Sequence, residues 1–312
     1  MDKNGDRLVI ATHNGFVHAD EALAIAMLLM VYPTAEIIRT RDAIELANVD
    51  IRVDVGGKDN PKTGDFDHHQ KGGAGERDGV PYAAAGLVWK HYGARIIQKF
   101  APRFSPDQTN RVRLMVDRGL IQPVDAYDCG MRFEPNGIVP FTVNEIVRAM
   151  NPVWDEKQQD FVAALNNACE FCGQILLNEI QQACATLRAV SFVKMARREG
   201  WLKNGMKEVL IFFRYIHWNV WYLVVHDLGY DNILFGIVPG GGGWSVFAVP
   251  ATLNTFNYRK LLPEAWAGLN DAELAKATGV RDAQYCHNGR WVCGARTKEG
   301  ALKLAQLAIA AK

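Results

Sequence analysis

The sequence predicts an α/β protein: an N-terminal domain on a parallel sheet, a long connecting helix, and a smaller α/β C-terminal domain. Three observations carry this. Short apolar runs at residues 8–11, 36–40 and 51–55 alternate with a helix-forming segment across short connections, the mark of a parallel sheet. From residue 155 onward, apolar residues recur at three- and four-residue steps through Phe161, Leu165, Cys169, Cys172, Leu176, Ile180, Cys184 and Leu187. That is one long amphipathic helix, reaching to about Arg198. After residue 201 strand and helix patterns mix again. A chain of 312 residues exceeds one ordinary core, and the expected boundaries are 1–154, 155–200 and 201–312.

The elements follow in order. Residues 8–11 read as a buried strand that breaks at Asn14-Gly15. Residues 19–29, rich in Ala and Leu, make a helix that starts near His18 and is closed by Pro33. Residues 36–40 and 51–55 are the second and third strands. Gly72-Gly73-Ala74-Gly75 marks either a loop that moves over a site or a solvated connection. Residues 83–92 are helical. Ser105-Pro106 opens a helix to about Leu120, which Pro123 stops. Gly200-Trp201 ends the long helix. Residues 209–215 read as a strand, and 220–225 as a strand or a helix facing a sheet. Residues 233–238 and 245–249 are strands flanking Pro239-Gly240-Gly241-Gly242-Gly243, a tight or ligand-facing connection. Residues 271–278 and 297–310 are helices.

Composition narrows the class. Hydrophobic residues at 49% and charged residues at 22% describe a globular chain. A net charge of +1 excludes a global basic field, so a polyanion must be met by a local patch. No apolar run reaches the roughly 18 residues that span a bilayer. Residues 1–7 are polar and lack a signal-peptide core, which makes the cytoplasm the expected location. The six cysteines read as small core residues of a reduced compartment. Cys169-x-x-Cys172 lies in a helical pattern with no second Cys/His pair near it to complete a zinc site.

The chemistry concentrates in three segments: His13-Asn14-Gly15-Phe16-Val17-His18-Ala19-Asp20-Glu21, Val53-Asp54-Val55-Gly56-Gly57 and Phe66-Asp67-His68-His69. They hold four of the eight histidines. Each follows a strand, so their side chains converge at the carboxyl ends of neighbouring strands. Mixed imidazole and carboxylate donors suit a pair of catalytic divalent metals. Buried together without metal, such groups are costly.

Asp67-His68-His69 after a strand-borne Asp54, with the earlier His13-x-x-x-x-His18-x-Asp20, resembles the DHH phosphoesterase superfamily. Within it the chain is similar to the melanocyte proliferating gene family of metal-dependent hydrolases, whose characterised members are RNA exonucleases. Segments 85–93, 124–128, 244–250 and 294–302 extend the likeness over essentially the whole chain. The resemblance implies a DHH-type catalytic N-terminal domain and a C-terminal substrate-binding domain. It implies that His13 and His18 hold one metal, that Asp20 and His68 hold a second, and that Asp54 bridges them. One acid of the pair Asp125 and Asp128 would complete the second site. His69 would face the substrate phosphate, and Asp67 would orient its neighbour or a metal. Two Mn²⁺ are the expected cofactor, since a His/Asp donor set suits Mn²⁺ better than Mg²⁺.

For substrate, Arg296 and Thr297 lie at a helix start where guanidinium, hydroxyl and backbone donors can meet a phosphate. His287 lies just upstream. Gly241 and Gly242 let backbone approach a ligand, and Arg39 and Arg41 are further phosphate candidates. The implied activity is a 3′→5′ exonuclease on single-stranded RNA or short oligonucleotides, working by two-metal water activation. The alternative is a small-molecule phosphatase, such as a manganese-dependent pyrophosphatase or a nucleotide phosphatase. A third reading is a protein that binds RNA or a partner without catalysis.

Overall fold

A computed structural model describes residues 7–253 and 255–311. The polar residues 1–6, which bear on the signal-peptide reading, lie outside them. The chain divides into two compact units, Met1–Cys184 and Ala185–Lys312.

The first unit opens with β1 (Val9–Thr12), α1 (Ala19–Val31), β2 (Glu36–Arg39), α2 (Ala43–Ala47), β3 (Ile51–Val53), β4 (Asp59–Asn60) and β5 (Asp65–Phe66). The sheet order is β2-β1-β3-β5-β4. Its first four strands are parallel, and the short β4 runs antiparallel on the edge. Register places the site. Thr12 pairs with Val53, and Val53 with Phe66. The residues that follow, His13, Asp54 and Asp67, therefore leave the sheet level with one another at its carboxyl edge. At the β3–β5 seam, Arg52 pairs with Asp65 and donates to the Leu46 and Val49 carbonyls.

Helix α1 is buried on every side from Ala19 to Leu28. An apolar, Ala-rich helix of this kind belongs in a core and not on a surface. It packs against α3 (Ala84–Phe100), which follows a hairpin of β6 (Glu76–Arg77) and β7 (Val80–Pro81). Burying each of Leu23, Ile25 and Met27 stabilises the fold by about 2 kcal/mol. Beyond them come α4 (Pro106–Val116), α5 (Gln122–Asp128), α6 (Val143–Ala149) and α7 (Phe161–Arg198).

Pro123 does not stop the chain's helical course. A wide π-helical turn, Asp117–Ile121, joins α4 to α5 and places Pro123 in the first turn of α5. There the missing N–H costs nothing. The segment after Pro123 continues as a helix, with Asp125 and Asp128 three residues apart upon it. The long helix likewise does not end at Gly200 but widens into a π turn, Glu199–Lys203.

In the second unit β8 (Val209–Ile211), α8 (Trp218–Asp227), β9 (Phe235–Gly240), β10 (Gly243–Ala248), α9 (Asp271–Thr278), β11 (Ala283–Cys286), β12 (Val292–Ala295) and α10 (Lys298–Ala310) form a three-layer sandwich. The order is β11-β12-β10-β9-β8, antiparallel except for β8 on β9. Alternation along β8 divides the two faces. Val209 and Ile211 pack with Leu274, Ala301 and Leu304, whereas Leu210 and Phe212 pack with Trp221, Val193 and Ala196. Segment 220–225, open between strand and helix in the sequence, is the helix α8. Gly241 and Gly242 make the two-residue turn between β9 and β10 with φ of +63° and +80°. A hairpin turn positive at both central residues excludes most side chains.

Candidate metal centre

Three strand ends and two helices build the centre. His13 follows β1 and is 2% exposed. Its Nε2 lies 2.6 Å from Glu21 Oε2 and 3.3 Å from Asp54 Oδ2. His18 precedes α1, its backbone N–H donating to Glu21 Oε2 at 3.2 Å. Asp54, after β3, sits at φ +55°, in the left-handed region. Strained non-glycine backbone at a strand end is characteristic of functional positions. Asp67 holds the turn after β5: it accepts from Gly57 N at 2.5 Å and from His69 N at 3.1 Å. Its Oδ1 also lies 2.7 Å from His69 Nδ1, which leaves Nε2 of that half-exposed ring free. His68 Nε2 lies 3.3 Å from Asp54 Oδ1 and 3.2 Å from Asp128 Oδ2.

These donors form overlapping sets whose ligand atoms lie within 4.8 Å of one another: His13, His18, Glu21 and Asp54; Asp54, His68 and His69; His68, Asp128 and Cys129; His18, Asp20 and Asp128. Asp54 belongs to both of the first two sets. Cys129 Sγ stands 3.9 Å from His68 Nδ1.

The loop that carries His13 and His18 is clamped. Arg39 donates to the carbonyls of His13, Gly15 and Phe161 at 3.1, 2.9 and 2.8 Å. Asn151 bridges both backbone groups of Val17 at 2.7 and 2.9 Å. Arg39 is thus a positioning residue with its donors engaged, not the free phosphate ligand the sequence suggested.

The electrostatics ask for a cation. Burial and the charges of Asp54 and Asp128 push the Asp20 carboxyl well above its usual range. Burial works against the charge of Asp54, yet contact with His13 and His68 holds its carboxyl well below the ordinary range. Burial alone would lower the His13 imidazole, but Asp54 and Glu21 lift it to about 10. His68 is raised too, against its burial, by Asp128 and Asp54. Four atoms here, Asp20 Oδ1, Glu21 Oε1, Asp54 Oδ1 and His68 Nε2, are buried and make no hydrogen bond. Buried polar atoms rarely go unpaired. A pair of divalent ions among them would give each a partner, so the residues present fit such a centre.

The acids of α5 part company. Asp128 joins His68. Asp125 is fully buried elsewhere, 2.8 Å from Arg77 Nη1 and accepting from Gly86 N at 3.0 Å. Burial pushes its carboxyl up to about 7, with Arg77 opposing. A Cβ on Gly86 would come within 1.9 Å of Asp125 Oδ2, which is why glycine stands there. The structure brings Asp128 and not Asp125 to the other donors.

The substrate candidates are spread out. Arg41 is exposed at the end of the sheet. In the second unit, Thr297 caps α10, accepting from Gly300 N at 3.0 Å, while its hydroxyl and backbone N–H both donate to Asp282 Oδ2. Arg296 is exposed beside it, and His287 Nδ1 accepts from Gly289 N at 2.9 Å. Cys169 and Cys172 are buried, with burial pushing the Cys172 thiol up to about 12, in keeping with core residues.

Three residues escaped the sequence reading. Glu21 is one, although its place three residues after the helix-capping His18 is a capping-box signal. The others are Arg132 and Arg148, which line the same cavity of about 630 Å³ as His18, Asp54, His68 and Asp128. No local pattern marks either.

A parallel α/β sheet whose strand ends gather imidazoles and carboxylates around unpaired buried atoms defines a divalent-metal protein. The chain belongs to the MYG1 exonuclease family, since the model of that family, described as an uncharacterised protein family (UPF0160), matches residues 9–309. This is the melanocyte proliferating gene family its motifs resemble. The MYG1 protein of Schizosaccharomyces pombe is 31% identical over 319 residues, covering 96% of this chain and 97% of the relative. The human MYG1 exonuclease is 29% identical over 328 residues, covering 96% and 85%. Among solved structures, a pGpG-specific phosphodiesterase from Vibrio is similar at a TM-score of 0.31 and 13% identity, covering 97% of this chain and 98% of that one. Exonuclease RecJ bound to manganese is similar at 0.26 and 12%, covering 97% and 91%. Likeness at that level assigns no residue and no substrate. Among the described residues no helix is long and apolar enough to cross a membrane.

Proposed function

We propose that the chain is a 3′→5′ exonuclease acting on single-stranded RNA or short oligonucleotides, with two Mn²⁺ at the strand-end centre and the cytoplasm as its compartment. Family membership makes it a hydrolytic phosphoesterase. The observation that carries the finer reading is Asp54: a strained, buried carboxylate common to the His13/His18 set and the His68/His69 set. A carboxylate shared by two donor sets would hold a divalent pair.

In this reading His13, His18, Asp20, Asp54, His68 and Asp128 hold the ions. When bound, a divalent pair supplies Lewis acidity and a water acidic enough to attack near neutral pH. The rest is done by side chains. Glu21 fixes the ring of His13 through its 2.6 Å contact. Asp67 fixes the tautomer and direction of His69. His69, in the cavity with its Nε2 free, is placed to accept a proton there and, when both ring nitrogens carry one, to donate to the phosphate or to the departing oxygen. In the second unit the exposed Arg296 would offer a guanidinium for phosphate, Thr297 holds the helix start beside it through Asp282, and His287, Gly241 and Gly242 would complete a substrate-binding surface.

The test is direct. Metal-stripped protein given Mn²⁺ is incubated with end-labelled RNA, single-stranded DNA, a dinucleotide and pyrophosphate. RNA shortened from its 3′ end is the expected result, with activity falling steeply with salt, because strand contacts release counterions. Consumption of pyrophosphate alone would replace this reading with the small-molecule phosphatase.

A further inference from the structure

The metal cavity does not end at its ligands. A second cavity of about 760 Å³ adjoins it, and Tyr127, Arg132 and Asn144 line both. Both volumes lie within the range of small-molecule sites. Arg132 stands at the junction, and Arg148 lines the metal cavity. Arg132 is held in place: its Nη1 donates to the Tyr127 carbonyl at 2.7 Å, and its guanidinium lies 4.1 Å from the Tyr127 ring centroid. The carbonyl of Arg148, on α6, accepts from Asn151, while its guanidinium makes no hydrogen bond or ion pair among the described residues. An arginine fixed by stacking beside one without a carboxylate partner is a receptor for an anion such as phosphate.

Past the arginines the walls are mostly apolar, with Leu120, Val124, Phe133, Val139, Phe141 and Ile146, and two acids also line them: Glu134, and Glu145 whose carboxylate accepts from Thr142. Phe133 is 78% exposed and Phe141 72% exposed. Clustered exposed aromatics of this kind mark binding surfaces. Their occupant must match two features at once: a negative group at the arginines, and a flat, weakly polar body one step further from the metals. A nucleotide residue has that order of parts. Inorganic phosphate and pyrophosphate have only the first.

We propose that the end of α5, segment 131–142 and α6 form a nucleotide subsite beside the metal centre. Arg132 and Arg148 take the phosphate of the residue flanking the scissile bond, and Phe133 and Phe141 stack on its base. The subsite rests on the phosphodiesterase reading and deepens it, because it selects nucleotide over bare phosphate within the first unit itself. Stacking tolerates every base, so the subsite discriminates little among sequences.

Calorimetry on the full chain loaded with Mn²⁺ tests this with AMP and inorganic phosphate as probes. AMP is expected to bind about tenfold or more tighter than phosphate. Phe133→Ala with Phe141→Ala should bring AMP down to the affinity of phosphate, and Phe133→Trp with Phe141→Trp should keep the preference. Arg148→Met should weaken both probes, and Arg148→Lys should restore part of the loss. Equal binding of AMP and phosphate by the wild type overturns the proposal. So does a double Ala variant that retains the preference, or one that alters only the chain's state of association. Oligonucleotide cleavage by the wild type is measured in parallel. Cleavage without AMP preference sinks the subsite alone, whereas AMP preference without cleavage sinks the exonuclease reading and leaves the subsite standing.

Discussion

The strand-end crevice of the first unit and the start of α10 in the second are both rich in polar groups, but they treat them in opposite ways. At α10 the groups satisfy one another: Asp282 accepts from both the hydroxyl and the backbone N–H of Thr297, which in turn caps Gly300. In the crevice, buried oxygens of Asp20, Glu21 and Asp54 make no hydrogen bond, and burial with the charges of Asp54 and Asp128 raises the Asp20 carboxyl. The first arrangement is complete as it stands. The second has the donor set of a divalent-cation site. The same contrast recurs within α5, where Asp125 is answered by Arg77 and Gly86 while Asp128 faces His68. A polar residue's partners, more than its type, separate structure from site.

The sharpest way to break the contrast is Asp54→Asn. Turnover should fall by about 100-fold or more, while the circular dichroism spectrum and melting midpoint stay near those of the wild type. Near-normal activity would remove Asp54 from its bridging role. Next comes the pair on α5. Asp125→Asn should lower unfolding free energy by about 3 kcal/mol, since it weakens a buried ion pair. Asp128→Asn should leave denaturation curves in place and weaken Mn²⁺ binding about 10-fold or more. The opposite outcome would exchange the two roles.

A graded effect should appear in pH. His13 and His68 both have raised pKa values in the metal-free protein, so at neutral pH each holds a proton that an incoming ion must displace. Apparent Mn²⁺ affinity should therefore climb as pH rises from 6 to 8, by up to about tenfold per pH unit for each proton displaced. Calorimetry in buffers of different ionisation enthalpy would register the released protons. Flat affinity over that window would contradict the assignment. Smallest of all, Thr297→Ala should cost about 1 kcal/mol of stability as a lost helix cap, read by urea denaturation. Metal binding should not change.

Much of this was legible from the chain. Parallel strands announced themselves as apolar runs with short connections, and their register then levels His13, Asp54 and Asp67 at one edge. The long helix could be read from the spacing of Phe161 through Leu187. Local pattern failed where a tertiary choice decided the outcome. Pro123 looks like a helix stop until the preceding π turn moves it into a first turn. Asp125 and Asp128 are alike in sequence, and only Arg77, forty-eight positions earlier than Asp125, distinguishes them. Arg39 looked like a free phosphate ligand because its three carbonyl partners lie on distant segments. Arg132 and Arg148 were invisible because a cavity, and not a motif, brings them to the metal ligands.

The crevice is expected to be a two-ion centre that Asp54 joins. Measuring the Mn²⁺ bound per chain, by titration calorimetry with elemental analysis, tests this most directly. Two ions are expected on the wild type, with at least one lost in Asp54→Asn while the protein stays folded. No tightly bound ion on the wild type, or the same two ions on Asp54→Asn, would contradict it.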